Sequence, residues 1–298
     1  MKRVKLVSGG VDSYIMSQNY DGLNVYVDFG QQYKEQEINA LKKLGVDFEI
    51  IKIDSNFKAT ADIYINDRNL ALAAVIAMIY SPDEIMLAGL GDDNCKDKNP
   101  EAFRKMSRIL TEFAEKPIKV ISPYFDRTKG EIVQNFKKKE KLPLTFSCYN
   151  PNGDKPCGNC PACLRKAIAL ETNGVDSGIK ISEEIIRTYL KKIHTYQPDR
   201  ISRFFIWLKS KGYKIVAVDI DGILCEDKGK YAERRPYKDS IDKINKLDGL
   251  KVLYTARLES DRQITLSWLK KNNVKFDALI MGKLPFNVLI DDLSRPSI

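Results

Sequence analysis

The chain has 298 residues, 43% of them hydrophobic and 30% charged, a globular balance that excludes disorder and fibre and a length that predicts two domains. The longest apolar run, residues 70–80, is too short for a bilayer span of about 20 residues, and the charged, strand-like start lacks a signal-peptide pattern, so a cytoplasmic protein is expected. The net charge of +9 is spread apart from Lys137, Lys138, Lys139 and Lys141, which suits anionic small molecules; a solvated helix face explains the lysine run more simply than a nucleic-acid surface.

In chain order, a short strand over 4–7 runs into Ser8-Gly9-Gly10-Val11-Asp12-Ser13 and then a helix. A strand over 24–29, a helix over 33–44 and a strand over 48–53 follow. Next come an apolar helix over 68–79, a strand over 84–89, a helix over 100–115 and a strand over 118–121. Residues 146–161, rich in Gly, Pro, Asn and Cys, form no regular element, and 181–206 reads as two helices broken at Gln197-Pro198. A second alternation then begins: a strand over 214–218, a helix over 240–247, a strand over 251–254, a helix over 260–272, and short strands over 278–281 and 287–290. Strands alternating with helices imply βαβ units and parallel sheets. The expected organisation is an α/β domain over 1–180, a helical linker over 181–210 and a smaller α/β domain over 211–298.

The glycine-rich turn is built to hold an anion. Glycine lets the backbone approach phosphate oxygens, and a helix N-terminus directs free N–H groups and positive dipole at them. Ser8 and Ser13 add hydroxyl donors, and Asp12 can orient a hydroxyl, a metal or the loop itself. The turn lacks the Gly-Lys-Ser/Thr ending of the usual nucleoside-triphosphate loop, and a capped helix start is the bland alternative.

Four of six cysteines fall within residues 148–163: Cys148, Cys157, Cys160 and Cys163. Two overlapping C-x-x-C units and one upstream thiolate suit tetrahedral Zn²⁺, closed and therefore structural, with an iron–sulfur cluster as the rival. Cys95 and Cys225 read as ordinary thiols. Asp219 and Asp221 follow the apolar strand over 214–218: Asp219 is a candidate phosphoryl-accepting nucleophile, and Asp221 a candidate proton donor to the leaving oxygen. Asp291, beside Asp292, joins them as a candidate Mg²⁺ site, and Thr255 and Lys283 are candidate phosphate contacts. His194 is expected at the surface, Trp207 in helix packing, and Asp92-Asp93 either at the sheet's ligand end or in a solvated loop.

Ser-Gly-Gly-Val-Asp-Ser resembles the signature of the ATP-pyrophosphatase (PP-loop) family, in which the loop holds the pyrophosphate released on adenylation. Asp28-Phe29-Gly30-Gln31-Gln32-Tyr33 with Glu35, Arg68-Asn69, Thr128-Lys129-Gly130-Glu131-Ile132-Val133 and Phe146-Ser147-Cys148-Tyr149 resemble one branch, the 7-cyano-7-deazaguanine synthases, over about residues 1–178. That resemblance implies a Rossmann-like domain with ATP held by Ser8, Gly9, Gly10, Val11, Asp12, Ser13, Arg68 and Lys129, and zinc on the four cysteines. It implies adenylation of 7-carboxy-7-deazaguanine, attack by ammonia to give the amide, and a second activation that yields the nitrile.

The order Asp219-x-Asp221-Gly222, Thr255, Lys283, Asp291-Asp292 resembles haloacid-dehalogenase (HAD)-type phosphatases. It implies a small capless Rossmannoid domain that uses Mg²⁺ or is retained only for binding. One departure stands out: a Tyr-Pro-Asp-Cys-Arg-like segment usual in the synthases is absent from residues 95–103. Relatives also occur in bacterial antiviral gene cassettes, so a second expectation is that the activated deazaguanine is joined to a macromolecular amine. The partners expected are a 7-deazaguanine-type small molecule and ammonia, with a protein acceptor and a homodimer as further candidates; nucleic acid and membrane are not expected.

Overall fold

The computed structural model describes residues 1–53 and 67–284. Its first elements are β1 (Arg3–Leu6), α1 (Val11–Asn19), β2 (Leu23–Asp28), α2 (Lys34–Lys43), β3 (Glu49–Lys52), α3 (Arg68–Tyr80), β4 (Glu84–Met86), α4 (Pro100–Phe113) and β5 (Lys119–Ile121). Then come α5 (Lys129–Asn135), α6 (Pro161–Glu171), α7 (Glu183–Lys191) and α8 (Pro198–Ser210). The last are β6 (Ile215–Val218), α9 (Lys238–Lys246), β7 (Leu250–Tyr254), α10 (Arg262–Lys271) and β8 (Ala278–Ile280). Two compact units result: residues 1–186 with 196–207, and 187–195 with 208 onward. The stretch 181–210, read from sequence as a linker, is thus shared out between the units. In the first unit Trp207 is buried, stacks with Phe204 and donates its indole N–H to Glu171 at 2.7 Å.

The first unit holds a five-stranded sheet in the order β3-β2-β1-β4-β5, with every pairing parallel. Alternation along each strand feeds two cores. Val4, Val25, Ile85 and Val120 meet α3 and α4 through Ala73, Ile76, Phe103 and Met106. Tyr26 and Met86 face the other side, against Tyr14 and Ile15 of α1, Ile132 and Val133 of α5, and Leu170 of α6. Strand order reverses between β1 and β4, and open parallel sheets bind ligands outside the carboxyl ends of the strands at such a switch point.

Helix α5 starts with a reciprocal capping box, Thr128 with Glu131, and α6 with Cys160 as cap and Pro161 in the first turn. The apolar run in α3 is less buried than its composition suggests: Met78 and Ile79 stay exposed. The second unit holds a parallel sheet ordered β6-β7-β8 over a core of Ile220, Leu224, Ile241, Leu253, Trp268 and Leu269. His194 lies exposed in a single 3₁₀ turn, Ile193–Thr195. The strand expected over 287–290 and the Asp291-Asp292 pair lie outside the described residues.

Candidate functional site

The glycine-rich turn leaves the end of β1 and enters α1, on the switch-point side of the sheet. Gly9 has φ +70°, and a Cβ there would lie 2.7 Å from the Glu37 carbonyl oxygen, so only glycine fits between loop and α2. The Phe146 N–H donates to the Gly9 carbonyl at 2.8 Å, tying the loop to the segment that enters the cysteine cluster. Ser13 Oγ accepts the Ser8 N–H at 3.1 Å and donates to the Gly10 carbonyl at 3.1 Å, with Ser8 Oγ 3.3 Å away. The hydroxyls therefore shape the turn. Gly10 caps α1 without any side-chain hydrogen bond to its first-turn N–H groups, an arrangement open to an anion.

Charged side chains converge beside this turn. Lys129 Nζ bonds both Asp12 carboxylate oxygens, at 2.5 and 2.6 Å. Asp92 accepts the Lys129 backbone N–H at 3.0 Å and Arg165 Nη2 at 2.9 Å. Asp93 accepts Arg165 Nη1 at 2.7 Å and pairs with Lys98 Nζ at 2.8 Å. Arg200 of α8 donates to the Asp92 carbonyl at 3.2 Å. Burial pulls the Lys129 ammonium down against the charge of Asp12. Burial also works against charge on Lys98 and Arg165, but Asp93 together with Asp12 and, for Arg165, Asp92 outweighs it and raises both. Asp93 itself is held far below the carboxylate range, because Lys98 and Arg165 overcome its burial. Lys98, Lys129 and Arg165 are thus linked to Asp12, Asp92 and Asp93 in one network that reaches the anion loop through Asp12.

Arg68, the first residue of α3, sits among Tyr149, Tyr33, Glu37 and Asp97. The Tyr33 and Tyr149 rings lie 5.8 Å apart, tilted by 49°. Glu37 accepts Tyr26 Oη at 2.8 Å and Gln31 Nε2 at 3.4 Å. Burial pushes its carboxyl up to about 7 in spite of those bonds and of Arg68. Sequence reasoning named Lys129 and Arg68 and left Asp92-Asp93 undecided; the structure puts that pair in the ligand-side network. It missed Lys98, Arg165 and Glu37, which look like surface charges on amphipathic stretches; the one signal was Arg165, two residues past Cys163.

The sulfurs of Cys148, Cys157, Cys160 and Cys163 all lie within 4.8 Å of one another, and three of the residues are buried. A tetrahedral Zn²⁺ with Zn–S of about 2.3 Å sets sulfurs about 3.8 Å apart, so the donor set fits a metal ion with small adjustment. Backbone N–H groups of Cys157, Asn159 and Cys163 point at the sulfurs of Cys148, Cys157 and Cys160, at 3.2, 3.3 and 3.5 Å. Gly158, at φ +67°, allows the knuckle: a Cβ would lie 1.9 Å from the Lys180 carbonyl oxygen. Hydrogen bonding to Cys160 pushes the Cys148 thiol up to about 12, while the same contact favours the thiolate of Cys160. Protons alone let the cluster ionise only in part; a divalent cation lets all four sulfurs ionise.

In the second unit, Asp219 follows β6 and pairs with Lys283 Nζ at 2.8 Å, while its other oxygen accepts the Ile220 N–H at 2.7 Å. Thr255, after β7, is fully buried; its hydroxyl accepts the Arg257 N–H at 3.3 Å, and its carbonyl accepts the Lys283 N–H at 2.9 Å. The structure therefore brings Asp219, Thr255 and Lys283 together. It also adds two arginines that the sequence reading lacked. Arg257, buried, and Arg234 both bond Asp221, and both guanidiniums lie over the Tyr231 ring, at 4.3 and 4.5 Å. Burial would raise the Asp221 carboxyl, but Arg257 and Arg234 outweigh it and lower it. The two guanidiniums thus favour the ionised form of Asp221.

Residues 49–174 match the family model described as Queuosine biosynthesis protein QueC. The chain is similar to the 7-cyano-7-deazaguanine synthase of Picrophilus torridus, with 30% identity over 236 residues that cover 65% of this chain and 98% of the relative. It is 24% identical over 224 residues to that of Methanococcus maripaludis strain C7, covering 59% of this chain and 96% of the relative. It is 23% identical over 232 residues to that of Methanocaldococcus jannaschii, covering 61% and 100%. Among solved structures, the U34-tRNA thiolase NcsA from Methanococcus maripaludis with its [4Fe-4S] cluster covers 72% of each chain at 14% identity and a TM-score of 0.35.

Proposed function

The chain belongs to the 7-cyano-7-deazaguanine synthase family, and from that membership we propose that it uses ATP to adenylate the carboxylate of 7-carboxy-7-deazaguanine and passes the acyl group to nitrogen. A carboxylate oxygen attacks the α-phosphorus of ATP; the new O–P bond forms as the bond to pyrophosphate breaks, and pyrophosphate leaves with the electron pair. The mixed anhydride then carries a good leaving group, AMP, which ammonia displaces to give the amide. The amide oxygen then attacks the α-phosphorus of a second ATP, pyrophosphate leaves, and elimination of AMP with the protons on nitrogen gives the nitrile. Ser8, Gly9, Gly10, Val11, Asp12 and Ser13 cradle the pyrophosphate, Lys129 balances its charge, and Arg68 is a further nucleotide contact. The observation that carries this reading is the Lys129–Asp12 pair beside the uncapped start of α1, a cation poised next to a backbone anion cradle. The four cysteines hold a structural Zn²⁺ that fastens the 146–161 segment to the loop through Phe146.

The second unit is a candidate Mg²⁺-dependent phosphatase. A carboxylate oxygen of Asp219 attacks the phosphorus as the P–O bond to the alcohol breaks and the alcohol leaves with the electron pair. Water then hydrolyses the aspartyl phosphate to phosphate and free Asp219, while Lys283 holds a phosphate oxygen and the buried Thr255 fixes Lys283 through its carbonyl. Asp219 and Asp221, with Asp291 beyond the described residues, hold the metal. The support for it is the convergence of Asp219, Thr255 and Lys283 at one end of a parallel sheet.

Mass spectrometry of the protein with Mg-ATP and 7-carboxy-7-deazaguanine, with and without ammonium, tests the first reading. AMP with amide or nitrile formed only when ammonium is added supports it. AMP with acyl-adenylate that ammonium does not discharge moves the acceptor to a macromolecular amine. No AMP under any condition overturns adenylation of this acid.

A further inference from the structure

The second unit leaves apolar side chains in solvent at the end of its sheet that carries Asp219 and Lys283. Among its described residues seven large apolar side chains are exposed, and four of them lie at the carboxyl ends of the strands. These are Ile223 at 46% after β6, Tyr254 at 39% closing β7, Leu258 at 66% beyond it, and Leu284 at 66% after β8. Backbone bonds hold those ends together. The Gly282 N–H donates to the Arg257 carbonyl at 2.8 Å and the Lys283 N–H to the Thr255 carbonyl at 2.9 Å, which ties the loop bearing Leu284 to the loop bearing Leu258. Arg257 in turn bonds Asp221, two residues before Ile223, at 2.9 Å. Lys283 Nζ lies 2.8 Å from Asp219 Oδ2 and 5.7 Å from the centre of the Tyr254 ring. One ammonium is thus shared by a part-exposed carboxylate and an exposed aromatic ring. Exposed apolar groups gathered around a charged site mark a surface that a ligand covers.

We infer that the second unit takes a nucleoside monophosphate, with the base stacked on Tyr254 while Asp219 and Lys283 meet the phosphate. That assignment rests on the phosphatase reading of this unit and deepens it by naming the substrate class. A phosphate monoester has two unlike ends, and the site offers a different surface to each. The phosphate dianion meets the Lys283 ammonium, which is already held by Asp219. The leaving group meets an aromatic ring and aliphatic side chains. A sugar phosphate would lay hydroxyls against Ile223, Leu258 and Leu284 with nothing to bond them, a desolvation cost without return. A flat heteroaromatic base gains by stacking on Tyr254, and the ribose bridges the distance between ring and phosphate. One water converts the monophosphate to nucleoside and inorganic phosphate, by way of the aspartyl phosphate on Asp219. The adenylation proposed for the first unit releases a molecule of this class, AMP, which makes AMP the probe of choice.

The test measures phosphate release by the full chain with Mg²⁺ from four esters: AMP, glucose 6-phosphate, p-nitrophenyl phosphate and a 5′-phosphorylated oligonucleotide. Wild type should show a kcat/KM for AMP about 10- to 100-fold above that for glucose 6-phosphate, the worth of one stacked base. Tyr254→Ala and Tyr254→Leu should each lower that ratio about tenfold, chiefly through the KM for AMP, and Tyr254→Phe should keep it. A ratio read on one preparation does not depend on the folded fraction, and Tyr254→Leu keeps an apolar side chain at the end of β7, so lost folding does not obscure the result. Equal values for AMP and glucose 6-phosphate in wild type, or a ratio unmoved in Tyr254→Ala and Tyr254→Leu, overturns the assignment and leaves the phosphatase reading standing. An oligonucleotide used more efficiently than AMP overturns the free nucleotide as substrate. No release from any of the four esters overturns both the assignment and the phosphatase reading.

Discussion

Lys129 and Asp12, 117 residues apart in sequence, meet through two hydrogen bonds of 2.5 and 2.6 Å beside the start of α1. The pair is mostly buried, with side-chain exposures of 11% and 16%, so removing one partner strands a charge. Lys129→Met and Asp12→Asn should each destabilise the fold by about 3 kcal/mol, and the double variant should regain much of that. Activity should not return: ATP–pyrophosphate exchange should fall about 10²- to 10³-fold in the single lysine variant and stay down in the double. Melting curves and exchange assays on all four proteins decide it. Recovery of exchange in the double variant would mean the pair is only a structural clamp.

The cysteine cluster makes a separate prediction. Purified protein should contain about one zinc per chain, and a strong chelator should lower the melting temperature by about 10 °C or more, because metal affinity is folding free energy here. Cys160→Ser should do the same without chelator, since Cys160 both caps α6 and supplies a sulfur. Metal analysis that finds iron with inorganic sulfide in place of zinc would reassign the site, and a protein indifferent to chelation would remove the metal from the fold.

What the sequence disclosed depended on whether the chemistry was contiguous. The turn at residues 8–13 and the cysteines over 148–163 are local strings, and each assembles in place. The sheet order was legible only as a class, because helix–strand alternation says parallel without saying which strands are neighbours. Asp93 with Lys98, Lys129 and Arg165 come from three separate stretches that the fold brings to one spot. Lys98 and Arg165, taken alone, read as solvated charges. The same holds for Arg234 and Arg257, which frame Asp221 from a loop and from the end of β7. Helix α3 erred the other way: its apolar run suggests deep burial, yet only Asn69, Ala73 and Ile76 are fully inside.

Glu37 makes stability depend on pH in an unusual direction. Its folded carboxyl titrates at about 7, above the roughly 4.3 of an unfolded glutamate. The proton held by the folded chain therefore stabilises fully below pH of about 4, and that contribution is lost as pH rises through 7. The difference amounts to up to about 4 kcal/mol. Glu37→Gln keeps a neutral amide among Tyr26 and Gln31, so it should match wild type near pH 4.5 and become progressively more stable than wild type toward pH 8. Urea midpoints at several pH values measure this. A constant offset between the two proteins at every pH would mean that Glu37 stays ionised throughout.

Asp219 and Asp221 are separable by experiment because the structure gives them different partners. Asp219 pairs with Lys283, 30% and 26% exposed, and Asp219→Asn should abolish hydrolysis of p-nitrophenyl phosphate with little change in melting temperature. Asp221→Asn leaves Arg257 and Arg234 without a counter-charge and should destabilise by about 3–5 kcal/mol. If Asp221 positions the arginines, its loss should slow esters with good and poor leaving groups alike. A proton donor behaves differently: its removal spares p-nitrophenyl phosphate, whose leaving group departs without a proton, and slows alkyl phosphates about 10²-fold or more. The ratio of the two rates in Asp221→Asn is therefore the deciding quantity. Absence of hydrolysis in wild type and Asp219→Asn alike would make the second unit a binding module.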